Sequence, residues 1–171
     1  MARQVFYRGR KIEVALETEV GPGGEEIRRD IILHPGAVAV LPLVDVDHVC
    51  LVRHRRPAVG CTLLEVPAGT LERDELPERA APRELEEETG YRAGVWRKLA
   101  EFYPSPGLLS ELTHLYLASD LTPGPARPEA DEDLEPLVVE WRQAVAWALD
   151  GTLRDAKTLP AVLLWDRLRN T

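Results

Sequence analysis

The segment GTLERDELPERAAPRELEEETGY, residues 69–91, contains four glutamates within five residues near its end. Its pattern predicts a helix over residues 77–88, with Gly90 in the C-cap position that favours glycine. Inside this helix, Pro82 removes a backbone donor and costs about 3 kcal/mol. We therefore expect the helix either to begin later, near residues 80–81, or to be kinked at Pro82.

The glutamates of this helix are placed where they repel one another. At 3.6 residues per turn, Glu84, Glu87 and Glu88 share one face, and Glu86 points away. Like charges at this spacing cost about 0.2–0.5 kcal/mol per pair, and the negative end of the helix dipole adds about 0.3–1 kcal/mol per acid. Three convergent carboxylates suit a hard divalent cation such as Mg²⁺, which prefers oxygen ligands. The alternative is a solvated acidic face whose repulsion Arg83 softens.

The spacing across the whole segment resembles the signature of the Nudix hydrolase family. Every fixed position of that signature is matched, by Gly69, Glu75, Arg83, Glu84, Leu85, Glu87, Glu88, Gly90 and Tyr91. The resemblance implies an α/β (α+β) fold, an α/β/α sandwich with a mixed sheet. It also implies that Mg²⁺ or Mn²⁺ is held against a diphosphate, where it lowers the pKa of a bound water, so that no protein nucleophile is needed.

The resemblance further implies a role for each acidic residue of the segment. The implied metal ligands lie on one helix face and in the preceding loop: Glu84, Glu87, Glu88 and the carbonyl of Ala68. Glu87 is also a catalytic candidate, because it would orient the attacking water. Three residues would support this arrangement: Gly69, Arg83 by pairing with the carboxylates, and Glu75 by holding Arg83.

Segments outside the signature resemble the ADP-ribose pyrophosphatase subfamily. They are RHRRP at 53–57, LEVPAG at 64–69, SPGLLSE at 105–111 and DAKT at 155–158. The resemblance then covers about residues 35–168 and implies hydrolysis of ADP-ribose to AMP and ribose 5-phosphate. Two alternatives remain: a hydrolase of another nucleoside diphosphate sugar or dinucleotide, and a non-catalytic ADP-ribose-binding module. Intact carboxylates and the lack of a basic DNA-binding segment oppose the second.

Four residues of these segments are candidates for substrate binding. Arg56 is expected to pair bidentately with phosphate oxygens. Arg53 is a second candidate, although a solvated strand end or an ion pair with an acidic loop would explain it equally well. In the loop at 105–111, Pro106 shapes the turn, and Glu111 either orients ribose or metal or is an exposed acid.

Residues 122–135, TPGPARPEADEDLE, are rich in proline and acid and predict a surface loop. Such a run is usually only solvated or disordered. In the subfamily, however, a glutamate from the corresponding loop acts as catalytic base or additional metal ligand. Glu132 is the first candidate for this role and Glu129 the second.

The rest of the chain predicts two regions, an N-terminal antiparallel β hairpin over residues 1–35 and a hydrolase domain over residues 36–171. Alternating polar and β-branched residues indicate the hairpin. The resemblance implies that the hairpin pairs two subunits into a homodimer and helps to wall an adenosine pocket. Further strands and helices are predicted at 37–44, 49–54, 63–66, 95–103, 112–118, 137–140, 142–149 and 159–168.

Composition excludes several other classes of protein. Asp and Glu number 29 against 21 Lys and Arg, and the net charge of -8 disfavours nucleic acid and anionic membranes as partners. Cys50 and Cys61 are too few for a disulfide framework. With no long apolar stretch and no signal-like N-terminus, we expect a cytoplasmic protein. The histidines, His34, His48, His54 and His114, show no metal-ligand spacing and are expected to be structural or exposed.

Overall fold

The computed structural model of the chain describes residues 2–128 and 133–171, in which ten β-strands and three α-helices form. The strands are β1 (Ala2–Arg8), β2 (Glu13–Val20), β3 (Glu26–Leu33), β4 (Ala37–Pro42), β5 (His48–Arg56), β6 (Cys61–Glu65), β7 (Ala68–Thr70), β8 (Arg92–Phe102), β9 (Thr113–Thr122) and β10 (Leu134–Glu140). The helices are α1 (Pro77–Thr89), α2 (Trp141–Asp150) and α3 (Thr158–Arg169), with a short 3₁₀ turn at Pro57–Val59.

The strands form three sheets. The central sheet has the order β7-β4-β9-β8; β4 runs parallel to β9 and the other two pairs are antiparallel, so this sheet is mixed. A second, antiparallel sheet has the order β10-β5-β6, and a third, β1-β2-β3, lies at the N-terminus. The mixed sheet that the sequence predicts is confirmed.

Strand β4 sets the layers of the molecule because all of its residues are buried. Val38 and Val40 pack in one apolar cluster with Leu85 of α1. Ala39 and Leu41 face the other way, into a cluster that contains residues of α2 and α3. Side chains alternate between the two faces of a strand, so a strand covered on both faces needs an almost continuous apolar run. The result is the predicted α/β/α sandwich.

Helix α1 runs from Pro77 to Thr89 and contains Pro82. Its first turn closes on the carbonyl of Leu76, which accepts the Ala80 N–H at 3.1 Å. The alternative in which the helix begins one turn later is therefore wrong. Ala80 and Leu85 are both 0% exposed, and their burial beneath the central sheet offsets the roughly 3 kcal/mol that an interior proline costs.

The end of α1 requires a glycine, as the sequence predicts. Gly90 has a φ of 75°, and its N–H bonds the Glu86 carbonyl at 2.8 Å. A Cβ on Gly90 would lie 2.1 Å from the carbonyl oxygen of Gly124. The segment that follows β9 is thus packed directly on the C-terminal end of α1, and the Arg127 N–H bonds the Glu87 carbonyl at 2.7 Å.

The N-terminal sheet is larger than the predicted hairpin. Strands β2 and β3 form that hairpin, paired from Glu13 opposite Leu33 to Val20 opposite Glu26. Strand β1 adds a third strand on the other side of β2, and most of its residues are exposed. Strand β7 was also not predicted; its three residues pair with β4, and the chain continues from it toward helix α1.

Candidate active site

The acidic face of α1 has the arrangement that helical spacing predicts. Glu84 and Glu88 are 7% and 1% exposed, whereas the side chain of Glu87 is 36% exposed. Glu86 lies on another side of the helix and pairs with Arg92 at the surface. Two buried carboxylates and one half-exposed carboxylate therefore lie together at the negative end of a helix, where each is destabilised.

Arg83 supplies the positive charge that this cluster needs. Its Nε and Nη2 each donate to a carboxylate oxygen of Glu75 at 2.9 Å. Its Nη1 donates to Glu84 at 2.8 Å and to Glu87 at 3.0 Å. The bonds to Glu75, followed by those to Glu84 and Glu87, raise the pKa of Arg83, and the same pairing with Arg83 lowers the pKa of Glu75. One guanidinium thus orients three carboxylates.

Strand β7 carries the backbone that faces these acids. The N–H of Ala68 donates to Glu88 at 3.2 Å. A Cβ on Gly69 would lie 1.9 Å from Oε1 of Glu84. Position 69 therefore excludes every residue except glycine while Glu84 keeps this position, which gives the signature glycine a steric reason.

A small cavity of about 170 Å³, called here the central cleft, lies beside strand β7. It is lined by His34, Ala37, Arg56, Ala68, Gly69, Thr70, Glu111 and Lys157. A wider cavity of about 770 Å³, the N-terminal groove, lies between residues 9–13, 33–35 and 70–73. His34 and Thr70 line both cavities, so the groove continues from the cleft.

Arg56 is held at the cleft by a buried partner. Its Nε and Nη2 donate to the two carboxylate oxygens of Glu65 at 2.9 and 2.7 Å, and the Glu65 side chain is only 1% exposed. This pairing raises the pKa of Arg56. Arg53 lies elsewhere: it is exposed, 3.8 Å from Glu135, and lines a different depression. Residues 53 and 56 differ by three along a strand and so project to opposite sides.

The loop at residues 105–111 is tied to the N-terminal sheet. Backbone bonds join Ile32 of β3 to the carbonyl of Leu108 and the N–H of Ser110, at 2.8 and 2.9 Å. Pro106 is exposed in the turn and is not among the residues that line the cleft. Glu111 does line the cleft, and Thr113 donates a hydrogen bond to its carboxylate at 2.9 Å.

Lys157 is a cleft residue that the sequence did not single out. Its Nζ lies 2.9 Å from Asp155, whose carboxylate also accepts bonds from the N–H and hydroxyl of Thr158 at 2.9 and 2.7 Å. Burial alone would raise the pKa of Asp155, but Lys157 and Thr158 lower it. The Thr158 hydroxyl in turn accepts the Val66 N–H at 2.8 Å. The DAKT segment at 155–158 could have indicated that this part of the chain is held in place, because Asp-x-x-Thr is a local hydrogen-bonding motif.

His34 is also a cleft residue, although the sequence suggested a structural or exposed histidine. It is half-buried at the end of β3, where its Nδ1 lies 3.1 Å from the Gly36 N–H. Burial lowers the pKa of His34; the carboxylate of Glu111 opposes this effect and the ammonium of Lys11 adds to it.

The candidate bases Glu129 and Glu132 lie outside the described residues. The described residues on either side are both fixed. On one side, Arg127 bonds the Glu87 carbonyl; on the other, the carbonyl of Asp133 accepts the Arg55 N–H at 2.9 Å. Arg127 thus lies at the acidic end of α1.

The side chains of the acidic cluster fit a hard divalent cation, since they offer carboxylate oxygens only. Across residues 2–128 and 133–171, no group of three or more Asp, Glu, His or Cys side chains is arranged to hold a metal ion. Glu84 and Glu87 are turned toward Arg83 and Glu88 toward the Ala68 N–H. A cation would therefore compete with Arg83 for the first two carboxylates.

Comparison with known proteins identifies the family. A family model described as the NUDIX domain matches residues 33–162. The chain belongs to the Nudix family. It is a pyrophosphohydrolase of that family, and Nudix hydrolases generally use divalent metals.

Two relatives and one solved structure illustrate the range of this similarity. An ADP-ribose pyrophosphatase of Bacillus subtilis is 38% identical over 95% of this chain and 89% of its own length. A GDP-mannose pyrophosphatase of Citrobacter koseri is 39% identical over 72% of this chain and 69% of its own length. The crystal structure of an ADP compounds hydrolase superimposes with a TM-score of 0.86 at 22% identity, covering 99% of this chain and 92% of that one, and confirms the fold.

Within residues 2–128 and 133–171, no helix is both long enough and apolar enough to cross a bilayer.

The pairing of Arg83 with Glu75 predicts a pH-dependent contribution to stability. Because Arg83 lowers the pKa of Glu75, ionised Glu75 stabilises the fold above the ordinary glutamate pKa of about 4.3, and this is lost as the pH falls through the lowered value. We expect Glu75→Gln to reduce the free energy of unfolding by about 1 kcal/mol at pH 7. The difference from wild type should shrink below pH ~4.3 in urea titrations.

The double variant provides the control for this prediction. In an Arg83→Gln background, Glu75→Gln should lose most of its pH-dependent effect, because the guanidinium that lowers the pKa of Glu75 is gone. If the effect of Glu75→Gln has the same pH dependence in both backgrounds, Arg83 is not its cause.

Proposed function

We propose that the protein hydrolyses ADP-ribose to AMP and ribose 5-phosphate in a reaction that depends on Mg²⁺ or Mn²⁺. One observation carries this proposal: Ala68 and Gly69 of strand β7 lie against the acidic cluster and also line a cleft with two cations, Arg56 and Lys157. An anionic group in that cleft would lie between fixed positive charges and carboxylates able to hold metal.

The proposed metal ligands are the three glutamates on one face of α1 and the backbone of strand β7. Glu84 and Glu88 would bind the metal with the Ala68 carbonyl, and Glu87 would be a further ligand or would orient water. When bound, a divalent cation supplies charge neutralisation and a more acidic water molecule. Arg83 would keep the carboxylates in place until the metal binds, since its bonds to Glu84 and Glu87 prevent them from splaying apart.

The proposed substrate contacts come from the walls of the cleft. Arg56 has its Nε and Nη2 committed to Glu65, so its remaining donors would meet phosphate oxygens. Lys157 would add a second positive charge, and Glu111 would orient ribose or metal. Arg53 and Pro106 lie away from the cleft in the described residues, so their proposed roles require contact with a part of the substrate outside it. Glu132, and after it Glu129, remains the proposed base.

We further propose that residues 1–35 form a dimerisation region beside a hydrolase domain of residues 36–171, in a cytoplasmic homodimer. Strand β1 supports this, because it is an edge strand whose Phe6 and Tyr7 are 61% and 57% exposed. Both cysteines, Cys50 and Cys61, are free, in keeping with a reducing compartment.

Sedimentation equilibrium tests the dimer. The expected mass is twice the 19.1 kDa of one chain, and Phe6→Ser should shift the protein toward the single-chain mass because it removes exposed apolar surface. A wild-type protein that sediments as a single chain at micromolar concentration would contradict the proposal.

A hydrolase of another nucleoside diphosphate sugar is the second candidate. The similarity to a GDP-mannose pyrophosphatase at 39% identity favours it. A non-catalytic ADP-ribose-binding module is disfavoured, because all the carboxylates that would hold metal are present.

Hydrolysis assays distinguish these candidates. The protein is incubated with Mg²⁺ and, in turn, ADP-ribose, GDP-mannose, UDP-glucose and diadenosine polyphosphates, and the products are separated by chromatography. We expect the largest kcat/KM with ADP-ribose, giving AMP. A larger value with another compound would move the assignment to that substrate, and no turnover with any of them would leave the binding module.

Glu88→Gln tests the metal ligands. We expect kcat to fall by about 10³-fold or more, because a neutral amide replaces an anionic ligand, with an unchanged circular dichroism spectrum. Glu86→Gln is the matched control: it alters a glutamate two residues away that pairs with Arg92 at the surface, and its kcat should stay near wild type. Equal activity of the two variants would remove Glu88 from the metal site.

A further inference from the structure

His34 stands at the junction of the two cavities. Together with Thr70 it lines both the central cleft and the N-terminal groove. We propose that His34 is a substrate-binding residue whose Nε2–H donates a hydrogen bond to an oxygen on the nucleoside side of a bound nucleoside diphosphate. This inference rests on the proposed function, to which it adds a specific contact.

The hydrogen bonding of His34 fixes which ring nitrogen carries the proton. Nδ1 lies 3.1 Å from the backbone nitrogen of Gly36, whose N–H donates to it. A nitrogen that accepts an N–H bond has no proton of its own, so the neutral imidazole carries its proton on Nε2. Nε2 is therefore a donor. Its neighbour in the protein, the Thr70 hydroxyl, is 3.5 Å away, at the outer limit of a hydrogen bond, which leaves the proton available to a closer acceptor.

The backbone around His34 holds the ring in this orientation. The His34 N–H donates to the Ser110 hydroxyl at 2.9 Å. Gly36 has a φ of 111°, and a Cβ there would lie 3.3 Å from the Leu112 carbonyl and 3.1 Å from Leu71. The Ala37 N–H bonds that same carbonyl at 3.0 Å. A donor fixed in advance loses little conformational entropy when the ligand arrives.

The position of His34 matches the path that the substrate must follow. A diphosphate placed beside Arg56 and Gly69 occupies the cleft of about 170 Å³, which is too small for a whole nucleotide sugar. The groove of about 770 Å³ lies within the usual range for ligand pockets. A nucleoside attached to that diphosphate can reach the groove by passing the residues that both cavities share, His34 and Thr70.

Two substitutions separate a contact with substrate from a structural role. The Oδ1 of His34→Asn can accept the Gly36 N–H in place of Nδ1, but nothing replaces Nε2. His34→Gln places an amide N–H near the Nε2 position and loses the acceptor at Nδ1. We expect His34→Asn to raise the KM for ADP-ribose about tenfold with kcat within about twofold, the change for one lost hydrogen bond. His34→Gln should recover most of that loss.

The opposite ranking of the two variants would show that His34 has only a structural role. If His34 only supports the turn at Gly36, His34→Asn will keep the wild-type KM and His34→Gln will be the less stable and less active variant. That order, measured together with thermal unfolding midpoints, would overturn the inference. His48→Asn, at a surface histidine that lines neither cavity, should change neither KM nor kcat.

The wild-type assay separates this inference from the proposed function. If wild type hydrolyses ADP-ribose and His34→Asn has the same KM, the contact is overturned and the proposed function stands. If wild type neither hydrolyses nor binds any nucleoside diphosphate in calorimetry, the proposed function is overturned and the contact with it.

Discussion

The structure of the site depends on the position of one guanidinium among carboxylates that repel one another. Arg83 makes four hydrogen bonds, two to Glu75 and one each to Glu84 and Glu87. Without it, the last two turns of α1 would combine buried acids with the negative end of a helix dipole. Because Glu75 precedes α1 and the other two carboxylates lie on it, the same group also attaches the loop to the helix.

A second set of contacts connects the C-terminal helix to this site. The carboxylate of Asp155 accepts the N–H of Thr158, the first residue of α3, and the hydroxyl of Thr158 accepts the N–H of Val66, two residues before Ala68. The backbone that faces the glutamates is therefore positioned from both layers of the sandwich, by α1 through Glu88 and by α3 through Thr158. Helices distant in sequence thus fix the position of strand β7.

The sequence predicted those parts of the molecule whose residues follow the periodicity of a helix or a strand. Helical spacing placed Glu84, Glu87 and Glu88 on one face, and the segment at 37–44 was predicted as a strand, which the structure covers on both faces as β4. The start of α1 was uncertain because the cost of Pro82 is local, whereas the burial that offsets it comes from the central sheet. Strands β1 and β7 were missed, because one is mostly exposed and the other has only three residues.

The walls of the cleft were harder to predict because they depend on contacts between distant segments. Arg53 and Arg56 were both candidates for substrate binding, and of the two Arg56 lines the cleft. Lys157 and His34 are single residues without a spacing pattern, and they line one cleft because Lys157 directly precedes α3 and His34 directly follows β3. A histidine alone in a sequence does not reveal which of its nitrogens is free to donate.

The pair of Arg56 and Glu65 places two separate demands on position 56. Glu65 is almost entirely buried, and Arg56 neutralises its charge. A neutral residue at position 56 would therefore leave the Glu65 carboxylate buried without a counter-charge. A lysine would restore the charge but not the forked geometry. Arginine at position 56 thus serves the fold as well as the proposed contact with phosphate, and an alanine scan of the cleft would record both effects at this position as one number.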